Sequence, residues 1–516
     1  MKKILLSLTA FVAVMAASAQ DANFREWNRV FEPVSDAAEL AGVRSAVSAE
    51  GDVYVSSTYN KAFAFAGKEV ADPEGLTSAT IVKYNVQGTE QWTVTFFGNA
   101  VIFDLDVDAD GTLYAAGHYM DGLDCIGTDG QNIVLEGAGF AYSAFVAKIS
   151  KDGKVEQVKS FSPVVDEEIA SKMGDPWGEG VESPLYSSWD PIYVTPNKIQ
   201  VCGDQVIVSA KYIGDVPELG WDGSYLDYYG MMYMDNYSYG VMALNKSDLY
   251  SAKSIAVVQN TELVSYDQFY PEALNFVAEN GTVYVGFIGF GNLTLKTAAT
   301  TPANFTFEND YNGTLEHAFV LAAIKGEEVT TNVYNTTSHD KSAKPYNIFM
   351  DASNDNLYIG GTYYGVCNFD STLTSGELAS DTYLASVSKA DGSVNWAKAG
   401  GKEATATCMS VNGKGVILST SASEYTVSDV ATGEILATGA QTLADADAVS
   451  STFMTYVYAT DTKVNVYGRM DNAVSIENIE VSDSENAGVS YNLAGQTVNE
   501  AYKGIVIKNG KKYLVK

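Results

Sequence analysis

The sequence predicts an all-β fold: a β-propeller of six four-stranded blades, with seven as the alternative count, plus a small C-terminal β-structure. Three observations carry this. A unit of two hairpins recurs about every 60–90 residues between 46 and 470. Each copy keeps one order: an apolar strand, a polar turn, a strand resembling GTLYAAG at Gly111–Gly117, then a hairpin resembling AFVAKISKDGKVEQVKSF at Ala144–Phe161. The composition is rich in Gly, Tyr, Val and Thr, which suits pleated strands and tight turns.

The first hairpins align at Ala46–Ser57, Leu105–Gly117, Ile199–Lys211, Leu274–Gly286, Ile348–Gly361 and Thr407–Thr420. In each, apolar residues flank a short turn of Gly, Asn or Asp. The second hairpins align at Thr80–Phe97, Ala144–Phe161, Val241–Val258, Ala318–Tyr334, Leu384–Ala399 and Met454–Met470. Trp92 and Trp396 occupy one position in two units, where packing between blades is expected. The segment Phe24–Glu32, FREWNRVFE, looks like an isolated fourth strand and would pair with the last blade, closing the ring and removing its open edge.

The chain opens with Lys2 and Lys3, the apolar run Ile4–Ala16 and the small residues Ala17-Ser18-Ala19. This pattern predicts a secretory signal peptide over 1–19, a propeller over 20–471 and a β tail over 472–516. The protein is expected to be exported: periplasmic, on the cell surface or secreted. No segment of the mature chain has the length and apolarity of a transmembrane helix. Acidic residues number 64 against 32 basic ones, a net charge of −32, which argues against nucleic acid as a partner. The four cysteines fall in distant units and are expected as free, mostly buried thiols.

In a propeller, connections from strand two to three and from blade to blade emerge at one end, and the two hairpin turns at the other. The first set is long here: 58–78, 118–142, 213–238, 288–316, 363–381 and 421–452 within units, and 162–198 between two of them. Loops on a rigid scaffold are where binding usually resides. Two of these stretches are strongly aromatic. One carries Trp177, Tyr186, Trp189 and Tyr193; the other carries Trp221, Tyr225, Tyr228, Tyr229, Tyr233 and Tyr237. Flat rings with polar tips suit contact with sugars, peptides or partner proteins. The alternative is that the two loops pack on each other as a small core. Asp106, Asp108 and Asp110 precede Gly111 as in a calcium loop, but the twelfth position is Gly117 where a bidentate Glu is required. A hairpin turn explains the same residues, so no cofactor is expected, with calcium as the alternative. His118, His317 and His339 come from different units without the short spacing of a zinc site.

The repeats resemble those of bacterial β-propeller repeat proteins of the Bacteroidetes type, whose units read roughly DAFVAKLDxxGxxxW…GNVYVTG. The likeness covers about residues 24–471 and implies no catalytic residues. The C-terminal residues Tyr491-Asn492-Leu493, Gly495-Gln496, Lys503-Gly504-Ile505-Val506 and Lys511-Lys512 resemble the type IX secretion sorting domain of exported Bacteroidetes proteins. That likeness implies a small β-structure serving export or surface attachment. Alternating Ile505 and Ile507, a turn at Asn509-Gly510 and Tyr513-Leu514-Val515 agree with strands there.

The function expected from these features is binding of a glycan, peptide or envelope protein at the long-loop face. A glycoside hydrolase or polysaccharide lyase at the same face, and a structural or adhesive envelope role, are the alternatives. Acidic pairs for glycoside hydrolysis are available in number. A sialidase arginine cluster is not, because Arg25, Arg29, Arg44 and Arg469 lie outside the long loops. The balance is against catalysis.

Overall fold

A computed structural model describes most of residues 24–470 and the strands between 490 and 515. Outside the description lie 1–23, 34–39, 60–62, 66–67, 71–76, 138–140, 165–192, 223–226, 261–272, 308–314, 339–346, 376–379, 412–414, 441–444, 448–452, 461–462, 471–489, and some shorter turns, as do the side chains of the strands at 24–42, 63–70, 227–234 and from 445 onward. The chain divides into two compact units, Phe24–Arg469 and a second made of Met1–Asn23 with Met470–Lys516.

The larger unit is a β-propeller. Its blades are antiparallel four-stranded meanders, and four of the sheets gain two further strands from a hairpin inserted in the next blade. Blade one is Leu40–Val47, Val53–Tyr59, Ser78–Tyr84 and Glu90–Phe97. Blade two is Val101–Val107, Leu113–Tyr119, Ser143–Ile149 and Val155–Phe161. Blade three is Tyr193–Cys202, Gln205–Ile213, Ser238–Asn245 and Ala252–Asn260. Blade four is Ala273–Glu279, Thr282–Gly289, Leu315–Lys325 and Glu328–Ser338. Blade five is Ile348–Ser353, Asn356–Tyr363, Asp381–Ser388 and Val394–Ala399. Blade six is Ala406–Val411, Gly415–Thr420, Glu424–Asp429 and Ile435–Gly439. A seventh meander joins Asp445–Asp447, Phe453–Thr460 and Lys463–Met470 to the N-terminal strand Phe24–Pro33.

The first strands touch in sequence from blade one to the seventh meander, and Asp445–Asp447 returns to Leu40–Val47. The ring is therefore closed, and the seam is the antiparallel pairing of Phe24–Val30 with Lys463–Arg469. Seven four-stranded meanders are present among the described residues. The hairpin at Met454–Met470 does not complete the sixth unit. Residues 424–429 and 435–439, expected inside a long loop, are that unit's third and fourth strands.

The core lies between the faces of adjacent blades. Tyr54, Phe96 and Phe145 are fully buried between blades one and two, with Phe96 and Phe145 stacked 5.5 Å apart. Trp92 is 7 % exposed and donates from Nε1 to the Lys151 carbonyl in the next blade's outer turn. Trp396 makes the equivalent bond to Val430. Each indole lies on a turn glycine with positive φ, Gly153 at 82° and Gly433 at 69°. A side chain is disfavoured there by both backbone and space. Both tryptophans thus latch successive blades, as expected from their repeated position.

The long connections have a regular use. Four carry a hairpin that seats on the fourth strand of the preceding blade. Gly122–Ile126 pairs with Glu90–Phe97, Asn292–Thr297 with Ala252–Asn260, Val366–Phe369 with Glu328–Ser338, and Phe63–Phe65 with Phe24–Pro33. Each pairing uses the C-terminal part of the acceptor strand, the end from which the blade-to-blade connections leave.

The smaller unit contains a four-stranded antiparallel sheet in the order Thr497–Val498, Ser490–Asn492, Gly504–Lys508, Lys511–Val515. The strand alternation around Ile505 and Ile507 lies in its C-terminal hairpin.

Candidate functional site

Each of the three aspartates has partners within the protein. Asp106 Oδ2 accepts from the Val201 amide at 2.6 Å, and Oδ1 from its neighbour Val107 at 2.9 Å. Asp108 Oδ2 lies 2.6 Å from Lys246 Nζ. Asp110 Oδ1 accepts from the Thr112 amide at 2.9 Å, closing the hairpin turn. Among the described residues no cluster of three or more His, Cys, Asp or Glu could hold a metal ion. The Asp108–Lys246 pair is one copy of a repeated bond. Glu50 with Lys151 and Glu279 with Lys389 likewise join a blade's inner turn to the next blade's outer turn.

Asp106 belongs to a belt of polar contacts around the axis. Asp104 Oδ2 accepts from Ile199 N at 2.8 Å, Gln200 exchanges two hydrogen bonds with Ala278, and Asp351 Oδ2 accepts from Val411 N at 2.8 Å. Lys198 reaches from blade three past blade four, donating to Asn275 Oδ1 at 3.0 Å and to the Met350 carbonyl at 2.8 Å. Desolvation along the axis pushes the Asp106 carboxyl up to about 6 and Asp351 upward, and it pushes the Lys198 ammonium down. These side chains keep some exposure because they line the ring's hollow centre, yet protein surrounds them on every side. The belt aligns neighbouring blades.

The aromatic loops divide. Trp221 is 1 % exposed, stacks on Tyr212 and donates from Nε1 to Ser254 Oγ at 2.9 Å. It is a core residue, which corrects its place among the ligand-contact candidates. Its segment bridges blade two at Val164↔Asp215, and Lys159 pairs with Glu218 at 2.5 Å. Val216, Leu219 and Trp221 thereby pack into the apolar cluster shared by blades two and three. Tyr228 and Tyr233 face each other across the short hairpin Asp227–Tyr229/Met232–Met234. The side chains of Tyr228, Tyr229 and Tyr233 lie outside the described residues, as do Trp177, Tyr186, Trp189 and Tyr225 entirely.

Two other tyrosines of the same stretches do meet. Tyr193 and Tyr237 flank Lys211, whose Nζ lies 3.4 Å from the centre of the Tyr237 ring and 5.6 Å from that of Tyr193. All three are half-buried at the long-loop end of blade three. Beside them, His118 stacks on Tyr142 at 4.4 Å, edges against Phe103 at 4.8 Å and shares a 3.0 Å hydrogen bond with Thr195 Oγ1. Burial pushes this imidazole down to about 4. Tyr142 and Tyr193 form a parallel bridge between the blades. The result is a cluster of rings around one ammonium, a surface suited to stacking. Lys211 was missed in the sequence because a lysine late in a strand carries no motif.

The chain matches no protein-family profile and no curated protein. It is similar to solved structures that include BamB from Moraxella catarrhalis, at 12 % identity and TM-score 0.37, covering 85 % of this chain and 99 % of that one. Another is the Cps50 (Swd1) β-propeller domain from Myceliophteria thermophila, at 9 % and 0.37, covering 79 % and 92 %. A third is the quinohemoprotein alcohol dehydrogenase ADHIIG from Pseudomonas putida HK5, at 11 % and 0.35, covering 85 % and 78 %. At these scores the likeness adds nothing to the evidence of the strand order, on which the propeller fold of this chain stands.

Proposed function

We propose that this is an exported binding protein that engages a glycan, peptide or surface protein at the long-loop end of blades two and three. The observation that carries this is the Tyr193–Lys211–Tyr237 cluster, with the His118–Tyr142 stack beside it. Tyrosines packed on a lysine offer ring faces for apolar sugar or side-chain surface in a locally cationic setting. Such residues dominate binding energy where they occur at interfaces. The axial carboxylates, by contrast, are engaged by backbone amides, which leaves them poorly disposed for acid–base work on a substrate. Export is proposed on the leader pattern at 1–19, and surface attachment on the tail.

The test is a glycan-array and peptide-library screen with the parent, Lys211→Ala and Tyr237→Ala. Binders of the parent should lose at least about tenfold in affinity with both variants, roughly 1.4 kcal/mol. Unfolding midpoints should stay near the parent's. Binders indifferent to both substitutions, or turnover of a bound glycan, would overturn the proposal.

A further inference from the structure

Four blades have an inserted strand paired to their fourth strand, and blade two is bridged at Val164↔Asp215. Blades five and six have no such cover among the described residues. The reason is local: in the blades that follow them, strands two and three are joined by only 421–423 and 461–462. Blade five is guarded by charge, since Lys398 lies on its fourth strand and pairs with Glu434 at 3.2 Å. A lysine on an edge is a standard obstacle to strand addition. The fourth strand of blade six, Ile435–Gly439, has no charged residue. Ile435 is 63 % and Leu436 59 % exposed.

The chain's own hairpins show what such an edge accepts. The seated strand is extended and antiparallel, with apolar residues at alternate positions turned into the fold. Leu123 with Cys125, Leu293 with Leu295, and Cys367 with Phe369 are each at most 1 % exposed. A second copy of this chain is a poor occupant. Two bodies of charge −32 repel each other. We propose that the edge Ile435–Gly439, uncovered among the described residues, takes up a strand from another polypeptide, extended, apolar at alternate positions and basic in net charge. Backbone pairing supplies the affinity, and the exposed aliphatics on the edge supply the selectivity.

The test uses the full chain and a labelled synthetic peptide of residues 291–307, whose only charged side chain is Lys296. With peptide, hydrogen exchange at 435–439 should slow at least about tenfold. The double variant Leu436→Lys/Thr438→Lys, altered only at exposed positions, should weaken binding by a similar factor. Replacing Leu293 and Leu295 of the peptide by Lys should abolish it. Unchanged exchange at millimolar peptide, or binding indifferent to the edge lysines, would overturn the proposal. So would slowed exchange at 435–439 that grows with protein concentration without peptide, since that would place a second copy on the edge.

Discussion

The indole of Trp221 lies against the ring of Tyr212 with 4.9 Å between centres and 27° between planes. Its far edge closes on Gly240, where an added Cβ would sit 2.3 Å from the ring. Trp221→Ala should therefore cost about 3–5 kcal/mol of stability, as other buried aromatic truncations do. Gly240→Ala should also destabilise, by forcing the indole out of its slot. Chemical denaturation of both variants checks this. A stable Trp221→Ala protein that has lost only ligand binding would return the residue to the binding surface.

His118 gives a pH dependence with a defined sign. Its folded-state value is pushed down to about 4, below the roughly 6.5 of an unfolded histidine. Stability from the neutral ring is complete above about 6.5 and is lost as pH falls toward 4, on the order of 3 kcal/mol in all. The loss arises because the unfolded chain takes the proton first. His118→Gln should flatten this part of the stability profile relative to the parent, as read from urea midpoints between pH 7 and 4. Parallel profiles would remove the assignment. Asp106 acts in the opposite sense, because its raised value favours the folded state below about 6.

None of the four cysteines is in a disulfide; Cys125, Cys367 and Cys408 are buried and Cys202 is half-buried. Burial pushes the Cys125 and Cys367 thiols upward, away from the reactive thiolate. A maleimide should label Cys202 first in the native protein and all four in denaturant, by mass spectrometry. Rapid native labelling of Cys125 or Cys367 would contradict the seating of the inserted strands that carry them.

Most of the ring was legible because strands buried on both faces repeat an apolar signature. Val53–Tyr59 and Ser78–Tyr84 are buried at every position, and their copies recur with the same turns. The sixth blade was not legible, because its outer strands bury little. Ile435–Gly439 is exposed along nearly its whole length, and its partner Glu424–Asp429 is only partly covered. With no apolar pattern there, the next patterned hairpin stood in for them. The first strand of the seventh blade, Asp445–Asp447, is three residues with two acids and gave no signal. The proposed site shows where composition stops being informative. Aromatic density marked the stretches that carry Tyr193 and Tyr237, but composition does not separate Trp221, turned inward, from these two, turned toward Lys211. That sorting depends on strand register, which sends alternate residues to opposite faces.

Closure of the ring by the two ends of the propeller unit is what places every long connection at one rim. Asn28 is registered opposite Asn465, and Arg29 opposite Val464. Cysteines introduced at each pair in turn, followed by oxidation and peptide mapping, test that register directly. At least one pair should form an intramolecular disulfide in high yield in the monomer, with the native cysteines unlinked. Failure of both pairs, or linkage only between molecules, would show an open ring and leave the loop-rich face without its structural basis.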